Sequence, residues 1–333
     1  MYLNWLRTRV IGMRSGYKAA LAGVFLAGIG FALLIHGPAA TAAAPIKVPF
    51  TFVTVDVPVP GAAATSVVAI NNRGDMVGSY NFIAGGAAFG IPQGFLGKGF
   101  IWRRDGRFTT IDGPGPVNPE LCNPFQNKFQ NCYFVETRGI NDQGDVVGTY
   151  SQDIFSPHGG LLRAFYQRPG GSFHSYLFPG HTNSIFQKIS DTGLIYGCFH
   201  DDGIDDSPQD SMHAIINFLH PNGTIQNLDF KLEGTTMNVG GGPAALQYAG
   251  VWYNHATNRH SAYIFELGRR TNFDVPGSNN TTPWDMNVQG DVVGVWGNNP
   301  NPMIIDGIPF HGFLRDRRGN FIHLDYPGSI DTH

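Results

Sequence analysis

The chain reads as all-β, a β-propeller built from five recognisable four-stranded repeats, and three observations carry that reading. Forty-four Gly and 22 Pro among 333 residues, with only 14% charged, suit short strands joined by tight turns rather than long surface helices. One phrase, GINDQGDVVGTY at 139–150, recurs at 70–80, 189–199 and 286–296, with a weaker copy ending in Ala249-Gly250-Val251-Trp252. The glycine that follows its turn stands at Gly78, Gly148, Gly197, Gly250 and Gly294, in steps of 70, 49, 53 and 44 residues. Propeller blades repeat at about 40–50 residues, so one step holds an insertion. A six-bladed or incompletely closed ring is the alternative arrangement.

The N-terminus precedes the repeats. Arg7, Arg9, Arg14 and Lys18 lead into an apolar run at 19–35 and then the small-residue tract PAATAAAP. That order predicts a signal peptide over 1–42, cleaved after Ala40-Thr41-Ala42, and hence a secreted, periplasmic or cell-surface protein with no membrane segment after cleavage. An uncleaved anchor is the alternative, since the run approaches bilayer-spanning length. Removing 1–42 takes away four positive charges and moves the net charge from −3 to −7. An acidic chain without a basic stripe excludes nucleic-acid binding.

The phrase itself is a hairpin. Ile140 closes one apolar run, Asn141-Asp142-Gln143-Gly144 tolerates the backbone of a tight turn, and Val146-Val147 opens the next strand. Ahead of the first copy, 50–61 reads as a strand ending in Pro and Gly, without a blade of its own; it is expected to pack at the edge of the last blade, so that the chain ends meet. Third strands follow at 99–104, 163–168, 213–218, 261–266 and 311–316, and fourth strands at 107–112, 172–180, 224–230, 270–277 and 320–328. The blades therefore span about 62–112, 135–180, 183–230, 233–277 and 280–328, with a Cys-bearing insertion at 113–134. Cys122 and Cys132 bracket that insertion, and an oxidising compartment predicts a bridge between them. Cys198 is left as a small core residue.

The x-I-N-D-x-G-x-V-V-G-x-Y hairpin, the third strands His213-Ala214-Ile215 and His311-Gly312-Phe313, and the I-D-x-P-G endings together resemble the mostly bacterial extracellular repeat family named for its His-Ala-Phe (HAF) tripeptide. The likeness covers about 50–330. It implies a secreted or surface β-repeat protein and brings no chemistry with it. The His position reads Lys98, Arg163, His213, Ser261 and His311, so the His is not a shared ligand.

A four-stranded meander sends its tight turns to one end and its long loops to the other. Binding residues are expected among the loops, where the sequence offers Asp202 and Asp205, His158 and His181, and the aromatics Phe155 and Trp284. Asp201, Asp202, Asp205, Asp206 and Asp210 form a candidate Ca²⁺ loop, although the spacing is not that of an EF-hand and a solvated acidic loop is the commoner explanation. No other cofactor is expected: the His residues have no zinc spacing, and no GxSxG elbow, phosphate loop or dinucleotide fingerprint occurs. The Asp residues recurring at hairpin turns and at fourth-strand ends read as turn caps. The column Tyr80, Tyr150, Phe199, Trp252 and Trp296 reads as packing. Two function classes remain. One is a non-catalytic module binding glycan or protein; the other is a glycan-active or other hydrolytic enzyme, which needs two carboxylates facing each other across the loop face.

Overall fold

The computed structural model describes residues 51–81, 97–114, 122–123, 128–129, 133–152, 161–181, 183–200, 212–228, 235–241, 247–254, 259–298 and 310–329. The chain divides into units 1–44 and 45–333, and every described residue lies in the second. All regular structure among them is β.

Five antiparallel meanders follow one another. The first holds β1 (Ala64–Ile70), β2 (Met76–Asn81), β3 (Lys98–Trp102) and β4 (Phe108–Ile111). A two-stranded ladder follows, β5 (Cys122–Asn123) with β6 (Lys128–Phe129). The second blade is β7 (Tyr133–Ile140), β8 (Val146–Gln152), β9 (Leu161–Gln167) and β10 (Phe173–Tyr176). The third is β11 (Asn183–Ile189), β12 (Leu194–His200), β13 (Met212–Leu219) and β14 (Ile225–Asn227). The fourth is β15 (Thr235–Gly241), β16 (Tyr248–Asn254), β17 (Arg259–Glu266) and β18 (Arg269–Phe273). The fifth is β19 (Asn280–Met286), β20 (Val292–Gly297), β21 (His311–Arg315) and β22 (Phe321–His323). One parallel pair, His260 with Asn280, joins the last two sheets.

The first strand of blades two to five packs against the first three strands of the blade before it, which makes the array a β-propeller with its first strands innermost. The core lies at these joints. Val77, Ile101, Val135, Ile140 and Phe165 fill the joint between blades one and two. Val147, Tyr166, Phe186, Ile189 and Ile215 fill the next, and Tyr196, Ile216, Tyr248 and Tyr263 the one after. Ala249, Val275, Met286, Val292 and Phe313 fill the last. Large apolar side chains at each joint supply most of the stabilisation available to short strands.

Each first strand carries a bulge, and the bulge explains the repeated glycine. Register slips by one residue between Val67 and Ala69, Thr137 and Gly139, Phe186 and Lys188, Asn238 and Gly240, and Pro283 and Asp285. The displaced strand pushes a carbonyl into the space over its partner. A Cβ on Gly78 would sit 1.9 Å from the Ser66 oxygen, and one on Gly148 2.1 Å from that of Glu136. Glycine is required there by close approach rather than by φ.

The blades are joined by a second recurring device. The hydroxyl near the start of a first strand accepts an N–H from the segment just ahead of it, two residues past the fourth strand where one precedes: Thr65 from Val57 (3.2 Å), Ser184 from Phe178 (2.8 Å) and Thr281 from Val275 (3.0 Å). The segment ahead of β1 thus behaves as one that follows a fourth strand. Its Phe52 ring meets Tyr326, beyond β22, edge to face at 5.1 Å, so the N-terminal segment does reach the end of the last blade. It does so without a ladder, as 51–57 are not strand.

Candidate functional site

The inner turns, which join first to second strands, gather around the propeller axis. Their geometry comes from the Asn of the Ile-Asn pair. Asn71 Oδ1 accepts the N–H groups of Arg73 (3.0 Å) and Asp75 (2.9 Å), and Asn141 Oδ1 that of Asp145 (2.8 Å), which closes each turn onto itself. The other end of the amide reaches forward. Asn71 Nδ2 donates to the Asn141 carbonyl (3.0 Å), and Asn141 Nδ2 to that of Ser190 (3.4 Å). Alongside, both Asp142 oxygens accept from Asn72, at 2.9 and 3.0 Å, and Asp191 accepts the Asp142 N–H at 2.7 Å. The turns of blades one, two and three are therefore stitched in series.

Between these turns lies a cavity of about 310 Å³, reaching from blades one, two and three across to blade five. Its lining combines amide, carboxylate and hydroxyl from Asn71, Asn141, Asp142, Ser190 and Asn287 with the apolar Ile140, Ile189 and Met286. Lys188 on β11 and Asp285 on β19 form an ion pair that spans it. Tyr196, also in the lining, is buried and its hydroxyl is pushed up to about 12, so it stays a neutral donor. The carboxylates are already committed: Asp142 to Asn72, Asp191 to the Asp142 N–H, and Asp285 to Lys188 and the Met286 N–H (2.7 Å).

The bulge residues of the inner strands are Val68, Arg138, Gln187, Val239 and Trp284. Arg138 shows how they meet between blades, donating to Gln187 Oε1 at 2.8 Å while its other nitrogen pairs with Glu136 at 2.5 Å. Trp284 is one of the sequence candidates, but it lies on β19 rather than on a loop, and its neighbour Asp285 lines the cavity. A bulge leaves its residue unpaired and re-aims it; the indole is 43% exposed.

Of the other sequence candidates, His181 packs against Phe199, centroids 4.2 Å apart, and Phe178, 5.5 Å apart, as part of the third blade. Phe155, His158 and the acidic loop with Asp201, Asp202, Asp205, Asp206 and Asp210 lie outside the described residues, as does Cys132, and only the backbone of Cys122 is described. Cys198 is fully buried on β12. Among the described residues no cluster of His, Cys, Asp or Glu is gathered to hold a metal.

Two motif columns prove to be partners. The Asp that ends a fourth strand pairs across the blade with the residue at the His-Ala-Phe position, instead of capping a turn. His311 Nδ1 stands 3.0 Å from Asp325, Ser261 donates to Asp274 at 3.4 Å, and Lys98 pairs with Asp112. Of the hairpin Asp residues, Asp75 and Asp291 cap the outer turn, between third and fourth strands, of their own blade, whereas Asp142 and Asp191 bond the inner turn of the blade before. Asp75 accepts from the Arg104 N–H and from Arg103; burial raises its pKa, but these bonds and that from Asn71 outweigh it and hold the carboxyl below 3.8. The aromatic column is packing: Tyr80 on Phe108 and Tyr150 on Phe173 within their own blades, Phe199 on Phe178 at the end of the preceding blade, and Trp252 and Trp296 against core clusters.

Neither a protein-family model nor a characterised protein matches the chain in sequence. Among solved structures it is similar to a gluconolactonase from Xanthomonas campestris, at 13% identity and TM-score 0.41, over 80% of this chain and 78% of that one. It is similar to the lectin of Aleuria aurantia, described as a six-bladed β-propeller, at 7% identity and TM-score 0.41, over 78% of each chain. A third similarity is to dipeptidyl peptidase 4 of Porphyromonas gingivalis, at 8% identity and TM-score 0.39, over 78% of this chain. The chain spans 39% of that peptidase. Likenesses this distant carry no argument about ligand or reaction.

Proposed function

We propose that the chain is a non-catalytic binding module, secreted or held at the cell surface, whose ligand is a glycan or another polyol taken at the inner-turn end of the axis. The observation that carries this reading is the cavity with its mixed lining. Amides, carboxylates and a lysine can share hydrogen bonds with several hydroxyls, while the apolar lining residues suit the carbon face of a sugar ring, and the exposed indole of Trp284, beside the lining residue Asp285, would extend that surface. Carboxylates already engaged by neighbouring N–H groups favour binding over hydrolysis, because a general acid or base needs a free proton site.

The test is a panel of glycans and polysaccharides, read by calorimetry for binding and by reducing-end release for hydrolysis. Saturable binding without hydrolysis is expected, weakened roughly tenfold or more in Trp284→Ala and in Lys188→Met, in line with about 1.5 kcal/mol for one lost stacking or charged contact. Sugar release would instead make the protein an enzyme. Binding that survives both substitutions and fails in Asp202→Ala/Asp205→Ala would move the site to the long-loop face, where the calcium candidate also lies.

A further inference from the structure

The stitch between inner turns is complete at one seam and short of a donor at the next. Asn72, Asp142 and Asp191 hold the same place in turns one, two and three, one residue after Asn71, Asn141 and Ser190. Between turns one and two, Asn72 gives Asp142 both its backbone N–H (2.9 Å) and its side-chain amide (3.0 Å), so both carboxylate oxygens are used. Between turns two and three the backbone half is repeated, with the Asp142 N–H on Asp191 Oδ1 at 2.7 Å. The side-chain half is missing, because position 142 carries a carboxylate where position 72 carries an amide. Asp191 Oδ2 therefore accepts no hydrogen bond among the described residues. Ser190 widens the break, since its hydroxyl turns back to Thr192 (2.9 Å) and to the Leu194 N–H (3.0 Å) instead of reaching forward as Asn71 and Asn141 do.

This seam belongs to the axial cavity, which Asp142, Ser190 and Asp191 all line. The lining holds three carboxylates and one lysine, and that lysine is already paired: Lys188 bonds Asp285, with their side chains 14% and 24% exposed. Arg73 and Arg103 lie beside turn two, but both pair with Asp75 and stand outside the lining. Asp142 and Asp191 are left without a cation. One open carboxylate oxygen still falls short of the facing pair that glycoside hydrolysis uses. A separate observation marks the cavity as incomplete. Tyr196 lines it, is 1% exposed, and its hydroxyl makes no hydrogen bond among the described residues. A buried phenol without a partner is costly until something completes it. Blade five contributes apolar surface, from Met286 and from Val288, which is 44% exposed and holds there the position of Asp142 and Asp191.

On the reading that this cavity takes a glycan, we infer that the glycan is an amino sugar with a free, protonated amine, held at the seam of Asp142 and Asp191. The ammonium supplies the donor that the seam lacks, in a charge-assisted hydrogen bond to Asp191 Oδ2. A ring hydroxyl completes the Tyr196 phenol, and the carbon face of the ring lies toward Met286 and Val288. Acidic sugars are refused, because a further carboxylate would join two that have no counter-charge.

The experiment titrates the full chain by calorimetry, in mildly acidic buffer, with tetramers of glucosamine, N-acetylglucosamine, glucose and galacturonate, and with spermine. The glucosamine tetramer should bind roughly tenfold more tightly than the two neutral ones, and the galacturonate tetramer most weakly. Asp191→Asn should bring that preference close to one, and its Tm should stay level or rise, because the new amide provides the missing donor. Tyr196→Phe should weaken the glucosamine and neutral tetramers by the same factor, roughly threefold, and so leave the preference intact. If no tetramer binds, the glycan site itself falls and the inference falls with it. If the neutral tetramers bind as tightly as glucosamine, or galacturonate more tightly, the site stands and only the amino sugar is overturned. An Asp191→Asn variant that keeps the preference overturns it too, as does a marked fall in that variant's Tm, which would mean that Asp191 Oδ2 already has a partner. Spermine binding as tightly as the glucosamine tetramer would do the same, since it carries ammonium groups without a ring.

Discussion

The inner and outer turns are made from the same residue types and behave differently. Outer turns, joining third to fourth strands, keep their side-chain bonds at home: Asp105 accepts the Arg107 N–H at 3.1 Å, Asn222 that of Thr224 at 3.0 Å, and Asp316 those of Arg318 and Asn320 at 2.9 and 2.8 Å. Where an outer turn touches a neighbour, in blade three, it offers the carbonyls of His220 and Pro221 to Arg168 of blade two. Inner turns use one side chain for both tasks, with the Asn oxygen turned inward and its amide sent to the next blade. Turn composition alone predicts a turn. Position in the meander decides whether that turn also holds blades together.

Substitution should separate the two kinds most sharply at glycine. Gly144 and Gly106 have almost the same φ, +85° and +88°, but a Cβ on Gly144 would stand 3.0 Å from Arg103 while one on Gly106 would meet nothing. Gly144→Val should lose about 3 kcal/mol or more and Gly106→Val roughly 1 to 2, measured by urea unfolding. Equal losses would mean that strain alone matters and that the side chains crowded around Gly144 do not.

Next in size is the stitch. Asn141→Ala removes bonds to Asp145 and to Ser190 from a buried site and should cost roughly 2–3 kcal/mol. Asn222→Ala, exposed and local, should cost under about 1 kcal/mol. If Asn222→Ala proved as damaging, inner and outer turns would not differ in what they hold together.

Asp75 sharpens the comparison through pH. Its folded pKa is depressed, so its contribution is present above the unfolded value near 3.8 and is lost as pH falls through the lower folded value. Asp75→Asn should therefore be less stable than the parent at pH 7 by about 1 to 2 kcal/mol, with the gap closing in acid below pH 3.8. A gap that stays constant down the whole titration would show that the charge is not what matters. The outer-turn Asp105→Asn should leave Tm unchanged at neutral pH.

The smallest effect has the opposite sign. Leu267, in the outer turn of blade four, is the one described non-glycine residue with positive φ, 51°, and is almost fully exposed. Leu267→Gly or Leu267→Asn should raise stability by roughly 0.5–1 kcal/mol in thermal unfolding.

Much of the fold was legible because its signals are local. Alternating β-branched residues around an Asn-x-x-Gly turn announce a hairpin wherever they occur, and their repetition announces blades. The reason for Gly148 was not legible, since the crowding comes from Glu136 across a bulge and no residue type marks a bulge in advance. The pairing of His311 with Asp325 was hidden in a similar way, because Lys98 and Ser261 take the same place with different chemistry. Trp284 was picked out as an exposed aromatic but expected on a loop. Pro283 argues locally against a strand, whereas the bulge that all five first strands share at this place is a property of the blade. The axial cavity was not legible in any one repeat, as its lining is shared among four blades.

The forward stitch of Asn71 and Asn141 has a consequence for how such a chain can change over generations. The turns of blades one and two each send one donor ahead, and those of blades two and three each offer one acceptor behind, so blade two is a link of uniform type. Duplicating or deleting it leaves no donor stranded, because the turns on either side of the change simply meet each other. A lineage carrying this device can therefore vary its blade number through unequal recombination within that stretch of the array.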